Sequence, residues 1–165
     1  MKRNFLIAFS MLLCMSAFSI VLTACSSSEE PIDTTMSQEF YVKGMLIEQD
    51  GNYVNGEAGL NDPNTKEFKF YKAIYDEVEA IIKAQAWEIT FKSDEKNQKI
   101  KEQNAVAEQR YSAMVKSLDA VQKKLDQTNK DEYKCHFSMK IELVAMGEKE
   151  ICKGQKTLKY EGNQE

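Results

Sequence analysis

His136 is the only histidine in the sequence, and Ser138 follows it by two residues. This is the nearest the chain comes to a base beside a nucleophile, the arrangement that activates a serine hydroxyl. The segment around them, Tyr133 to Ala145, alternates apolar and polar residues with a period of two and reads as a strand. On a strand, His136 and Ser138 share a face but sit ~7 Å apart, beyond direct hydrogen bonding. Cys135 and His136 point to opposite faces, and no cysteine or histidine pair has the spacing of metal ligands. The acid- and amide-rich run from Glu48 to Glu57 lacks the alternating oxygen ligands and terminal acid of a calcium loop. No glycine-rich phosphate cradle occurs, and among 26 Asp and Glu no carboxylate pair stands out. The chain is therefore expected to be non-catalytic, with no metal and no cofactor.

Periodicity defines the elements that carry these residues. Phe40 to Leu60 is expected to form a hairpin, because Asp50-Gly51 suits a type I′ turn that sets Glu48 opposite Tyr53 and Ile47 opposite Val54. Asp62 to Thr65 opens a helix, with Asn64 and Glu67 at capping-box spacing. Phe68, Tyr71, Tyr75, Val78 and Ile82 then recur at helical steps, beside a second stripe of Phe70, Ile74 and Ile81. Trp87 to Lys92 alternates as a strand. A second helix starts at Ser93-Asp94-Glu95 and reaches Gln127. Its seam of Ile100, Ala107, Tyr111, Met114, Leu118, Val121 and Leu125 keeps heptad steps. Such a seam meets either a partner chain or the chain's own sheet and first helix. The polar Asn104 and the small Ala107 within it favour the chain's own sheet.

Tyr133 to Ala145 and the residues up to Tyr160 are expected to pair as a hairpin closed by a two-residue turn at Gly147-Glu148. In that register Leu143 meets Cys152, Phe137 meets Leu158, Cys135 meets Tyr160, and Glu142 meets Lys153. The sum is an α+β fold in the order ββ-α-β-α-ββ. It is a two-layer sandwich: a mostly antiparallel sheet of about five strands, with two helices on one face.

The beginning of the chain reads differently. A basic Lys2-Arg3 precedes an almost wholly apolar run from Phe5 to Leu22, the pattern of a secretory signal. Leu22-Thr23-Ala24-Cys25 resembles the lipobox of bacterial lipoproteins. The resemblance covers only this segment. It implies cleavage before Cys25, a diacylglycerol on the Cys25 sulfur and an acylated new amino terminus, which together anchor a chain to a membrane lastingly. Ser26 after the cysteine, where Asp would signal retention, resembles an outer-membrane destination, and Glu29-Glu30 looks like the export tag of Bacteroidetes surface lipoproteins. The expected organisation is a signal over 1–24, a lipidated flexible tether over 25–39, one domain over 40–160 and a tail over 161–165.

Without its signal the chain carries 20 Lys and Arg against 26 Asp and Glu, a net charge of −6. That sign argues against nucleic acid as a partner. Cys135 and Cys152 remain after Cys14 leaves and Cys25 takes lipid. The oxidising envelope favours a disulfide between them. The hairpin register opposes it, since eight residues of ladder separate them by ~27 Å; free thiols are preferred. The outward face of the last hairpin carries Lys134, His136, Ser138, Lys140 and Glu142, with Lys153, Thr157 and Lys159 across from them, a mildly basic strip suited to recognition. The expected function is binding to another envelope protein, including an inhibitor or immunity role. The rival is a small-ligand or glycan binder with Trp87 and tyrosines lining its pocket. Metabolic labelling with palmitate is expected to mark the full-length protein and to be lost in Cys25→Ser; an unlabelled wild type that keeps residues 1–24 would contradict the lipobox reading.

Overall fold

A computed structural model describes residues 34–54 and 59–163. The signal, Cys25 and the tether up to Asp33 lie outside the described residues, as do residues 55–58 of the expected first hairpin. The elements are β1 (Thr35–Tyr53), α1 (Lys66–Ile82), β2 (Gln85–Lys92), α2 (Lys96–Gln127), β3 (Cys135–Met146) and β4 (Glu150–Glu161). The fold is α+β, with one antiparallel sheet of four strands in the order β2-β1-β3-β4 and two helices.

The first expected hairpin is a single strand of 19 residues. Asp50 and Gly51 do not turn; they pair with Ser138 and Phe137 of β3. β3, a partner strand of 12 residues, gives Tyr41 to Tyr53 a ladder on both sides of the dipeptide, which outweighs its local turn preference. β1 runs on to Tyr53, and Gly59 forms an isolated antiparallel bridge with Asn52. Thr35 to Glu39, expected in the tether, are the first residues of β1 and pair with β2. Glu161, expected in the tail, ends β4 opposite His136.

β1 serves two neighbours in turn. Residues Thr35 to Val42 pair with β2, and Tyr41 to Tyr53 pair with β3. The register shifts between Leu46 and Glu48, leaving Ile47 as the extra residue of a bulge. Before the bulge Phe40 and Val42 point into the core, both fully buried; after it Gln49, Gly51 and Tyr53 take the inward side.

β3 follows its alternation strictly. Cys135, Phe137, Met139, Ile141, Leu143 and Ala145 are buried, and the residues between them are not. β4 pairs with it two residues out of the expected register: Phe137 faces Tyr160, Leu143 faces Gly154 and Ala145 faces Cys152. The connection has three residues, Gly147 to Lys149, and Ile151 sits at a second irregularity. An error of two preserves the side-chain faces, so the pattern alone could not detect it.

Both helices lie on the core face. Thr65, not Asn64, caps α1: its Oγ1 accepts the Phe68 N–H at 3.1 Å. That oxygen also donates to the Asp62 carbonyl, so the Tyr53 hydroxyl at 2.8 Å must donate to it. Asn64 is held by Asp62 instead, and Glu67 accepts the Lys134 N–H at 3.3 Å. Ile74, Val78 and Ile82 of α1 are buried, as are Ala107, Met114, Leu118, Val121 and Leu125 of α2. The heptad seam is thus occupied by the chain's own sheet and by α1. Phe70 anchors an aromatic cluster, stacked on Tyr133 at 4.1 Å between centroids and edge-on to Tyr160 at 4.9 Å.

α1 approaches β1 closely at Gly44. A β-carbon there would stand 2.6 Å from the Cβ of Ile82 and 2.9 Å from Leu143. Gly44→Ala is expected to lower stability by about 1–3 kcal/mol through overpacking, read as a lower denaturant midpoint; an unchanged midpoint would mean that the helix does not seat on this strand.

Candidate functional site

The face of the sheet opposite the helices is covered by no element among the described residues. Its side chains lie in rows across three strands. Asn52, His136 and Glu161 form one row, followed by Asp50, Ser138 and Lys159, then Glu48, Lys140 and Thr157. Further along come Met45, Glu142 and Gln155, then Lys43, Val144 and Lys153.

The expected strip is therefore real as a surface but not basic. Lys140 pairs with Glu48 at 3.7 Å, and Lys153 reaches diagonally to Glu142 at 3.6 Å. Lys159 stands opposite Ser138, one position from Asp50. Lys134 lies before β3 at the end of the sheet, where its carbonyl accepts the Val54 N–H at 2.9 Å. Glu142 belongs to β3 itself, whereas Glu48 and Asp50 come from β1 and are not visible in the local pattern. The expected local hairpin placed Glu48 opposite Tyr53, whereas the long-range pairing of β1 with β3 sets Glu48 and Asp50 against Lys140 and Ser138.

His136 and Ser138 share the outer face, separated by the spacing of alternate strand residues. They border a shallow depression of about 180 Å3 together with Asp50, Lys159 and Glu161. A second, wider depression of about 300 Å3 lies at the core-side end of β1, between Gln49, Asp50, Leu60, Asn61 and Tyr71. Tyr71 is the one expected pocket aromatic that lines it. Trp87 is committed elsewhere: its Nε1–H donates to Gln103 at 2.9 Å, it stacks on Phe40 at 5.6 Å, and the Arg110 guanidinium lies 4.1 Å from its ring. Among the described residues, Met45 and Ile47 are the large apolar residues left open, at 45% and 41% exposure. Met45 belongs to the outer face, and Ile47 owes its exposure to the bulge.

Cys135 and Cys152 are free thiols, placed at opposite ends of the β3–β4 ladder. Cys135 is buried at the aromatic end of the core. Burial, with Glu67 adding its charge, pushes it up to about 12. Cys152 is half-buried, and its thiol is raised by burial and by Glu108. Tyr160 is fully buried, with its hydroxyl donating to the Asn129 carbonyl at 3.1 Å. Burial, then the neighbouring Cys135, pushes it up to about 12. Among the described residues no group of three or more His, Cys, Asp or Glu is placed to hold a metal ion.

Set against models of known families, curated proteins and solved structures, the chain matches none of them.

The raised groups make the fold alkali-sensitive. In the unfolded chain Cys135 and Tyr160 ionise near 9.0 and 10.0, but in the folded chain only near 12. Their neutral forms favour the fold, so their contribution is intact below pH 9 and is lost as pH rises towards 12. Denaturant midpoints measured between pH 8 and 12 are expected to fall across this window, and Tyr160→Phe is expected to remove part of the fall above pH 10.

Proposed function

We propose that this protein is a lipid-anchored component of a bacterial cell envelope whose head binds another envelope protein through the uncovered face of its sheet. The anchor rests on Leu22-Thr23-Ala24-Cys25 and the preceding apolar run. Ser26 in place of Asp supports an outer-membrane destination. The binding role rests on one observation: among the described residues, no helix, loop or strand lies over the face formed by β1, β3 and β4, while the other face carries both helices.

The face is suited to a protein rather than to a charged polymer. Its lysines and acids neutralise one another in the pairs Glu48–Lys140 and Glu142–Lys153, which removes any single-sign field. Met45 adds an apolar contact of the kind that anchors interface centres, with the charge pairs as a polar surround. An inhibitor or immunity role fits such a surface, since neutralising a partner requires burial of its site and no chemistry. The depressions of about 180 and 300 Å3 stand at or below the lower end of small-ligand sites and are open, which supports the protein-binding reading over a ligand-binding one.

A photo-crosslinking residue placed at Met45 or Ser138 of the full-length protein in membranes is expected to yield a discrete adduct. The same residue at Lys116 or Lys123, on the exposed side of α2, is expected to yield none. Adducts from α2 alone, or from neither surface, would reject the outer face as the binding surface.

A further inference from the structure

The wider depression lies beside the second half of β1. β2 pairs with β1 only from Thr35 to Val42, and β3 holds the other side, so no strand among the described residues flanks β1 here. Gly59 closes the far end by bridging Asn52. Gly51 and Gly59 send no side chain into the space, which leaves about 300 Å3 open between Gln49, Asp50, Leu60, Asn61 and Tyr71.

Every polar side chain lining this hollow can accept a hydrogen bond, and none carries a positive charge. Asp50 brings a carboxylate, and Gln49 and Asn61 bring one amide oxygen each. The Tyr71 hydroxyl donates to Gln49 Oε1 over a long 3.5 Å. Burial, and then the charge of Asp50, raise the Tyr71 phenol, so carboxylate and ring share one space. Glu48 and Glu142 of the outer face have lysine partners, whereas the Asp50 carboxylate has no ion pair or hydrogen bond among the described residues. Lys159 and His136 stand on the other side of Asp50, in the smaller depression.

We infer that this hollow receives the guanidinium of an arginine from the bound protein, with Asp50 as its ionic partner, the amide oxygens of Gln49 and Asn61 as further acceptors and the Tyr71 ring as its wall. The inference rests on the reading of the head as a protein-binding module and names the group that the head grips. A volume small for a free ligand is ample for one long side chain. A guanidinium is flat, presents its donors in a fixed fork and is more weakly hydrated than an ammonium, so it suits acceptors spread around an aromatic ring. Arginine is also enriched at the energetic centres of interfaces. A second copy of this chain does not supply it: of the two arginines, Arg3 lies in the expected signal and Arg110 is held over Trp87 at 4.1 Å. The partner is therefore a different protein.

N-acetyl-arginine amide is the probe that tests the hollow. Full-length protein in detergent micelles, isotope-labelled on its tyrosine rings, is titrated with it by NMR, and the Tyr71 signals are identified by their loss in Tyr71→Phe. These signals are expected to shift saturably, with a dissociation constant on the order of millimolar. Asp50→Asn, nearly isosteric at an exposed position, is expected to weaken binding about fivefold. N-acetyl-lysine amide is expected to bind roughly threefold more weakly than the arginine probe. The inference is overturned if the arginine probe gives no saturable shift, if Asp50→Asn binds it as tightly as the wild type, or if the lysine probe or glucose binds as tightly. The probe needs no partner, so a failed titration leaves the outer-face crosslinks standing, and absent crosslinks leave the titration standing.

Discussion

The structure depends on keeping one long strand in phase with its core. β1 runs for 19 residues at the middle of the sheet, and its apolar positions do not keep a single period of two. Phe40, Val42 and Leu46 are even-numbered, whereas Gly51 and Tyr53, which face inward at the far end, are odd. A perfect ladder would turn one of these sets to solvent. Extruding Ile47 from the pairing changes the parity once, and both halves then serve the same core. The cost is one apolar side chain left partly in water.

Because β1 is continuous, the sheet is staggered. Its first half supports β2 and its second half supports β3, with overlap only at Tyr41 and Val42. The outer face inherits its chemistry from this arrangement. Glu48 and Asp50 are carried across to β3, where they turn a run of lysines into a mosaic of opposite charges. The same continuity places Gly44 under the end of α1, where any side chain would collide with Ile82.

Much of this was legible in the sequence, and the remainder was hidden for physical reasons. β3 announces itself because it is buried on one face along its whole length, so its alternation is complete. The helices are legible from Ile74, Val78 and Ile82 and from the seam of α2, because one stripe of each meets the core. β1 was misread because Asp50-Gly51 is a strong local turn signal and the pairing that overrides it spans nearly ninety residues of chain. Thr35 to Glu39 were read as tether because their polar residues alternate with only Met36 and Gln38, both half-buried at the sheet's periphery. The β3–β4 register slipped by two since cross-strand matches of like with like survive any even shift. Of the candidate site, His136, Ser138, Lys140, Glu142, Lys153 and Lys159 lie on the outer face as expected; Glu48 and Asp50 were invisible because they arrive by long-range pairing.

The position of Thr35 has a mechanical consequence. Any force transmitted through the preceding chain enters the domain at the end of β1, along the strand axis. Hydrogen bonds of an antiparallel ladder run perpendicular to that axis. A pull of this kind loads the eight rungs between Thr35↔Lys92 and Val42↔Gln85 in shear, all together, instead of unzipping them one at a time. The domain is thus gripped from its strongest direction at the end where it would be tethered.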